Sequence, residues 1–484
     1  MMLLLSLAVM WLAGFALVRS LFPQPLRWSL HNVWLFSLGL GMGAGVASCL
    51  YFLTLVLADA SVTVLLSSVG AVVVIAFALG LIAKRRGALL AWDINANDSP
   101  AVPWYLTALF ALAVALALAM FLGAIAYNPH GDEGAWSIWN LRARFLFRAG
   151  PFWRDAFSSD LGWTHPDYPL MLPGLVALCW KLSRQESTDA PIAIAFLFSL
   201  ATTGLLVTTV GTLRGKAHAL LAGTLLLGTA SFVALSAALY GDVPLSFYIL
   251  ATIALLCLQD RHPDDPRFSA LAGVMAGFAA WTRNEGIIFA SAVIAARVIA
   301  SLRFRDEKRL GSQLLRLLLG LAAPLAIVVF FKLRVAGPSD YFSVPASAIL
   351  KHLADPARWI VTVEGLVLVL FNFGRFLIPI ALVLALYWYL VRFRVNARDR
   401  AALSTACIAL ALTLLVQLLM DVLYVDNLGL EIATSFERIM LQLWPAALLA
   451  FFLASGPLQL AAPKIQNKPQ KKASKPARRV AETR

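Results

Sequence analysis

Thirteen apolar runs, each 15–25 residues long, recur along the whole chain. They lie near 1–18, 33–57, 62–83, 104–126, 191–210, 218–238, 243–259, 268–282, 287–301, 314–335, 375–391, 402–423 and 438–456. A segment that leaves water must satisfy its own backbone N–H and C=O groups, and an α-helix of about 20 apolar residues does so across a bilayer. Thirteen such spans need about 260 residues, and the chain has 484, of which 60% are hydrophobic. Asp, Glu, Lys and Arg make up only 14%, against roughly 25% in a soluble domain. The predicted fold is all-α, a polytopic transmembrane helical bundle of about 13 spans. A soluble enzyme, a DNA-binding domain and a disordered scaffold are excluded.

The net charge is +14. Its placement argues against nucleic acid as a partner. Residues 464–484 hold eight basic residues and one acid, Glu482, so a short tail carries half the total. Such a tail faces anionic lipid or enforces topology. Cys49, Cys179, Cys257 and Cys407 lie in apolar runs with no CxxC or metal-ligand spacing and are read as packing residues. Residues 1–18 lack a basic n-region, and Arg19 follows the run. They are read as a retained span with its N-terminus outside.

Lys and Arg concentrate in cytoplasmic loops. Thirteen spans with an outer N-terminus place Lys84-Arg85-Arg86, Arg214 with Lys216, the 303–309 cluster, Arg392 to Arg400 and the tail inside. The same count places Asp242, the Arg283–Gly286 turn and the acidic 424–437 loop outside. It requires that 169–182 not cross, so Pro169–Leu182 is predicted to be a re-entrant or interfacial helix. The long polar stretch 127–190 is then an outer loop with short interfacial helices, suited to Trp136, Trp139, Trp153 and Trp163. Arg142, Arg144, Arg148 and Arg154 break the positive-inside trend there. Acids of the same loop, or a phosphate-bearing ligand, would account for them.

Five polar motifs fall on this outer side. His130-Gly131-Asp132-Glu133 follows the fourth span; its acids serve as a general base toward a hydroxyl or simply open a helix. Trp163-Thr164-His165-Pro166-Asp167-Tyr168-Pro169 enters a short helix in extended form, because its two prolines are three apart. Tyr240-Gly241-Asp242-Val243-Pro244 closes a tight turn, where Asp242 is either an N-cap or a costly charge in search of a partner. Trp281-Thr282-Arg283-Asn284-Glu285-Gly286 interrupts the apolar stretch 268–300 with an ion pair or a lipid-phosphate cation. Ser435-Phe436-Glu437-Arg438 enters the last span; Arg438 clamps a phosphate bidentately or snorkels. Lys332 and Arg334 end another span on the same side. Glu364 and Arg375 stand in or beside the 359–391 run with no role assigned. Gly39, Gly41, Gly43 and Gly45 form a small-residue stripe for close helix packing. Walker A, GxGxxG, HExxH and GxSxG patterns are absent.

The order of these motifs resembles the GT-C superfamily of integral membrane glycosyltransferases. Those enzymes carry an acidic motif in a long first outer loop, a Pro-rich helix entry, an outer Asp-x-Pro, a basic-x-Glu-Gly turn and a late Arg. Here they correspond to Asp132-Glu133, His165-Pro166-Asp167-Tyr168-Pro169, Asp242-Val243-Pro244, Arg283-Asn284-Glu285-Gly286 and Arg438, over roughly residues 104–456. Ala135-Trp136-Ser137-Ile138-Trp139-Asn140 looks most like a bacterial branch. Three spans precede the acidic loop, where the superfamily usually begins with the span just before it. Gly134 stands where the motif's acid can also sit, which leaves Asp132 and Glu133 both open as the base.

The resemblance implies three parts: N-terminal transmembrane helices 1–103, a catalytic domain 104–456 with its outer loop 127–190, and a basic cytoplasmic tail 457–484. It implies an inverting transfer from a polyprenyl-phosphate-linked sugar to a hydroxyl of a glycan, lipid or protein acceptor, at the outer face of a bacterial inner membrane. Asp132 or Glu133 would deprotonate the acceptor. Arg438, with Arg283 or Lys332, would stabilise the leaving phosphate. His165, Asp167, Asp242 and Glu285 would hold the substrates. The oxygens would suit Mg²⁺ or Mn²⁺, but no metal site is assigned. The competing expectation is a transporter or lipid-glycan flippase, which would need polar groups through the membrane depth.

Overall fold

The computed structural model describes residues 2–22, 31–58, 61–85, 102–148, 150–304, 307–339, 344–376, 378–424 and 427–458. These residues are helical throughout, with one isolated bridge between Phe393 and Ser455. The α-helices are α1 (Met2–Leu21), α2 (His31–Ala58), α3 (Val62–Arg85), α4 (Trp104–Tyr127), α5 (Asn140–Arg148), α6 (Met171–Ser183), α7 (Asp189–Arg214), α8 (Lys216–Gly228), α9 (Ala230–Ala237), α10 (Asp242–Arg261), α11 (Arg267–Thr282), α12 (Asn284–Arg303), α13 (Glu307–Arg334), α14 (Ala346–Ala354), α15 (Pro356–Asn372), α16 (Ile380–Val391), α17 (Arg400–Tyr424) and α18 (Leu428–Ala454). Among the described residues, ten helices are long and apolar enough to cross a membrane, or eleven if α8 and α9, bent by 59°, make one span. The chain is a polytopic helical membrane protein. The predicted tail 457–484 lies outside the described residues from position 459 on, as does Arg86.

Two boundaries differ from the sequence expectation. The predicted 375–391 span is the shorter α16, and a further helix, α15, precedes it, because Phe373–Arg375 forms a separate turn with Gly374 at φ +78° and Arg375 at φ +54°. The last helix begins at Leu428, ten residues before the predicted span, so most of the expected 424–437 loop is helical. Its polar residues fall on one face at helical spacing, which average hydropathy hides.

Helix α10 is the central post: every residue from Asp242 to Gln259 is buried. A helix apolar on all sides belongs inside a bundle, and α7, α11, α17 and α18 pack around it. Helix α4 is the opposite case. It exposes Leu109, Leu112, Leu116 and Leu122, a surface fit only for lipid.

The two ends of α10 divide the charges. At the Arg261 end, Arg261 Nε donates to Asp399 Oδ1 at 2.6 Å, Arg214 lies 3.7 Å from the same carboxylate, and Arg297 Nη1 donates to Asp260 Oδ2 at 3.0 Å. At the Asp242 end lie Arg283, Glu285 and Arg438. Helix α6, predicted as re-entrant or interfacial, is shorter than the spans around it. It starts beside Ser48, whose hydroxyl donates to Leu170 O, and Ser48 in turn accepts from Trp281 at the Asp242 end. The chain then enters α7 at Asp189, and α7 finishes at the opposite end, where Arg214 donates to Leu453 O. Thirteen residues span about 20 Å, short of the roughly 30 Å hydrocarbon core. Met171 to Trp180 are all buried, so α6 is inserted in the bundle rather than lying on its surface.

The glycine stripe of α2 packs tightly. A Cβ on Gly43 would stand 2.1 Å from Met10 O, and one on Gly14 would stand 2.0 Å from Gly39 O. In lipid, such backbone approach replaces the hydrophobic driving force. Gly43→Ala is expected to cost about 1–3 kcal/mol through overpacking, read as a lowered melting temperature in detergent. Gly123→Ala on α4, with no atom within 4 Å of its added methyl, should leave that temperature unchanged or slightly raised.

Candidate active site

The site is built at the Asp242 end, around one buried carboxylate. Gly241, not Asp242, is the N-cap of α10. Asp242 is the first helical residue and aims its side chain into the bundle, where its side-chain exposure is zero. Oδ2 accepts from Arg283 Nη1 and from Arg438 Nη2, both at 2.9 Å, and Oδ1 accepts from Gln442 Nε2 at 2.6 Å. A charge so deep is tolerable only when paired and hydrogen-bonded, and here both oxygens are.

Arg283 is the extended residue between α11 and α12, at φ −155°. Gly286 makes the hairpin tight, since a Cβ there would lie 1.9 Å from Ala279 O. The guanidinium grips Glu285 with two bonds, Nη2 to Oε1 at 2.6 Å and Nε to Oε2 at 3.1 Å. It also lies over Tyr168 and Trp139, 5.2 and 5.8 Å from the ring centroids. Burial alone would lower its pKa; Asp242 and Glu285 outweigh that and hold it well above the ordinary arginine value. Arg438 is freer. It rests on the Tyr240 ring at 4.7 Å, its side chain is 30% exposed, and its Nε–H has no partner among the described residues.

Arg283, Glu285, Arg438 and Gln442 line a cavity of about 570 Å³, with Asp242 behind them. His165, Tyr168, Arg283 and Glu285 form one side; Gln417, Glu431, Arg438 and Gln442 face it from α17 and α18. Glu431, Thr434, Ser435, Arg438 and Gln442 reach it along one helix face, at the spacing an α-helix dictates. His165 sits at φ +52°, and its ring stacks on Tyr168 at 4.9 Å and 11°.

Asp132 and Glu133 stand at the rim. Gly131, at φ +72°, turns the chain against Ala238 O, which accepts from Asp132 N at 3.2 Å. Both carboxylates are exposed and have no side-chain partner among the described residues. The next residue, Gly134, lines the cavity, and its N–H donates to Tyr240 Oη at 3.2 Å. Tyr240 therefore joins the acidic loop to Arg438. Ala135–Trp139 is a π-helix, a rare form enriched at functional sites.

Asp167 and Lys332 are brought together, but away from the cavity lining. Lys332 Nζ donates to Asp167 O at 2.5 Å, to Asp167 Oδ2 at 3.3 Å and to Asn284 Oδ1 at 2.7 Å, and Asn284 Nδ2 donates to Asp167 Oδ2 at 2.6 Å. An ammonium has three protons, so that knot satisfies them all. No three His, Cys, Asp or Glu side chains converge on one point among the described residues. Asp167, Asp242 and Glu285 are each matched by a cation instead.

The four arginines of the 127–190 loop have protein partners. Arg142 is fully buried and donates to the carbonyls of Thr164, His165 and Tyr168 at 2.6, 2.7 and 3.3 Å, which fixes the turn that carries His165. Burial pushes its guanidinium down to about 10, against the pull of Asp167. Arg144 and Arg148 both bind Glu186, and Arg154 lies over Trp153 at 4.7 Å. Trp136 and Trp163 are exposed as interfacial residues should be, but Trp139 and Trp153 are buried in the core. They pack because short helices fold back on α2 and α6.

Gln417, Asp421 and Glu431 carry no local motif, and only the packing of α17 beside α18 brings them to the site. Asp421 is fully buried; its Oδ1 takes a long 3.5 Å contact from Gln417, and its Oδ2 has no partner among the described residues. Gln442 lies one turn after Arg438 on the same face.

Residues 167–330 match the model of the dolichyl-phosphate-mannose-protein mannosyltransferase family. That family belongs to the GT-C superfamily. The matched segment contains Asp242, Arg283 and Glu285; Asp132, Glu133, His165, Lys332 and Arg438 lie outside it. The match supports a membrane glycosyltransferase of the GT-C type. No curated protein and no solved structure matches the chain.

Two predictions follow from the charges. Asp242→Asn leaves Arg283 and Arg438 without their shared anion and should destabilise by about 3–5 kcal/mol, read in the melting temperature. For Glu186, burial opposes ionisation, but Arg148 and Arg144 outweigh it and hold its carboxyl below its ordinary 4.5. The folded value is the depressed one, so the stabilisation is present above 4.5 and fades as pH falls through the folded value. Amide exchange of α5 should accelerate on that acid limb in the wild type. In Glu186→Gln it should already be fast at neutral pH.

Proposed function

We propose that the chain moves a sugar from a polyprenyl-phosphate donor to an acceptor hydroxyl, with inversion at C1, on the outer face of the membrane. The observation that carries this reading is Asp242 holding Arg283 and Arg438 together at the head of the cavity, beside a loop with two unpaired carboxylates. The matched family bears the name of dolichyl-phosphate-mannose transfer to protein, which accords with a lipid-phosphate donor.

In this reading Asp132 or Glu133 takes the acceptor proton. The acceptor oxygen forms its bond to C1 as the bond from C1 to the phosphate oxygen breaks, and the lipid phosphate leaves with the electron pair. Charge grows on that phosphate, and a donor already aimed at it lowers the barrier most. Arg438 fits better than the two alternatives. Arg283 is committed to Asp242 and doubly to Glu285, and Lys332 has no proton left. Arg438 places one of its five N–H groups on Asp242 and lines the cavity with its side chain 30% exposed. Asp242 and Gln442 act as positioning residues for it. His165 and Tyr168 offer a stacked face for a sugar ring. The polyprenyl-phosphate donor, the glycan, lipid or protein acceptor, the bacterial inner-membrane setting and the cytoplasmic C-terminus belong to the same proposal. So does Mg²⁺ or Mn²⁺, for which the rim carboxylates are the available oxygen ligands.

The flippase alternative is disfavoured by where polarity sits. Asp242 and Arg261–Asp399 mark opposite ends of α10, and Val243 to Leu258 between them holds no charge. Purified protein given a labelled polyprenyl-phosphate sugar should release polyprenyl phosphate and glycosylate an acceptor. A positioned base contributes about 10²–10⁴-fold, so either Asp132→Asn or Glu133→Gln should lose at least about a hundredfold in kcat. Arg438→Lys should lose about a hundredfold, within the range for removing one oxyanion donor. Transfer that survives both carboxylate variants would remove the base assignment. Movement of intact lipid without transfer would replace the reading with flipping.

A further inference from the structure

Arg375 has no part in the mechanism above, yet its position is unusual. It closes the Phe373–Arg375 turn between α15 and α16, and its side chain is 71% exposed. Its exposed neighbours include the apolar Leu368, Phe371 and Ile378, together with Asn372. Helix α15 starts beside the Asp242 end of α17, where Arg358 Nε donates to Val422 O, and α16 finishes at the Arg261 end, where Arg394 N donates to Ala454 O. The turn therefore breaks the chain between the two ends, and the Arg375 side chain lies beside Glu437, one residue before the Arg438 that pairs with Asp242. A cation exposed at the end of a membrane helix, with apolar side chains beside it, calls for an anion.

The turn is held firmly. Phe373 packs on Trp444 at 5.0 Å, and Trp444 Nε1 donates to Thr229 Oγ1 at 3.0 Å, at the break between α8 and α9. A Cβ on Gly374 would lie 3.0 Å from Thr229 Cγ2 and 2.6 Å from the Phe376 ring. Two broken helices thus meet break to break. Arg375 keeps a left-handed backbone that an arginine adopts at a cost, which persists only where the surroundings enforce it.

The nearest anion does not satisfy it. Glu437 Oε2 lies 3.9 Å from Arg375 Nη2, beyond hydrogen-bond range, and Glu437 Oε1 is engaged by the Ser231 hydroxyl. Glu437 directly precedes Arg438 on α18, so the two side chains point about 100° apart around the helix. Arg438 faces the cavity; Glu437 and Arg375 lie around the side of α18. A planar guanidinium is suited to phosphate.

We propose that Arg375 binds the phosphate of a lipid on the bilayer side of α18, a waiting site one helix face away from Arg438. The waiting role rests on the glycosyltransferase reading; the lipid-phosphate site does not. The test is binding of radiolabelled decaprenyl phosphate to the full chain in phosphatidylcholine nanodiscs, with phosphatidic acid and inorganic phosphate as competitors. Arg375→Gln should weaken binding about tenfold or more, the scale of one charge-assisted hydrogen bond. Glu437→Gln removes the competing carboxylate and should tighten binding, a gain that a folding defect would not produce. Unchanged affinity in Arg375→Gln would overturn the site, as would inorganic phosphate competing as well as the lipids. Phosphatidic acid competing equally would keep a lipid-phosphate site and sink the waiting role. Arg375-dependent binding in a wild-type protein that transfers no sugar would sink the glycosyltransferase reading and leave the site standing.

Discussion

The rest of the structure depends on a carboxylate with no access to water. Asp242 joins three helices that are distant in sequence: its own α10, the α11–α12 turn through Arg283, and α18 through Arg438 and Gln442. A buried ion triad adds little net stability over apolar packing, because desolvation offsets the attraction. It does supply geometry. Two guanidiniums that would repel each other are held side by side, and one of them, Arg438, lines the cavity.

The surrounding groups serve that geometry. Tyr240 and Tyr168 each put a ring under one arginine, so the cations are held by faces as well as by charge. Arg142 holds the turn of His165 and Tyr168 from below by three carbonyls. The Lys332–Asp167–Asn284 knot ties α13 to the α11–α12 turn. The rim carboxylates, Asp132 and Glu133, have no such partner among the described residues.

Much of the site was legible as short motifs. His165, Asp242, Arg283, Glu285 and Arg438 stand at the cavity or directly behind it, because a polar residue retained at the end of an apolar run is costly without a partner. Roles were less legible than positions. Lys332 and Arg438 look alike in sequence, each a cation near a span end, yet one is saturated and the other is not. Four arginines in one loop left acids of that loop or a ligand as accounts; in the structure their partners are three carbonyls, one glutamate of the same loop and one indole. Asp421 and Gln417 had no signal, since they sit mid-run on α17 and matter only through the neighbours α18 provides.

Composition and periodicity alone determined the class of fold: helices that satisfy their own backbone in a bilayer, with basic residues sorted to one end and a mixed polar set to the other. That much follows from hydrogen bonding and transfer energy, which are local properties of each segment. Only the tertiary structure decided which polar residues meet. It set Arg438 against Asp242 across 196 positions, left Asp132 and Glu133 unpaired at the rim, and broke the 359–391 run to present Arg375. Those outcomes turn on distances between helices and on competition for a limited number of donors and acceptors, and no single segment carries that information.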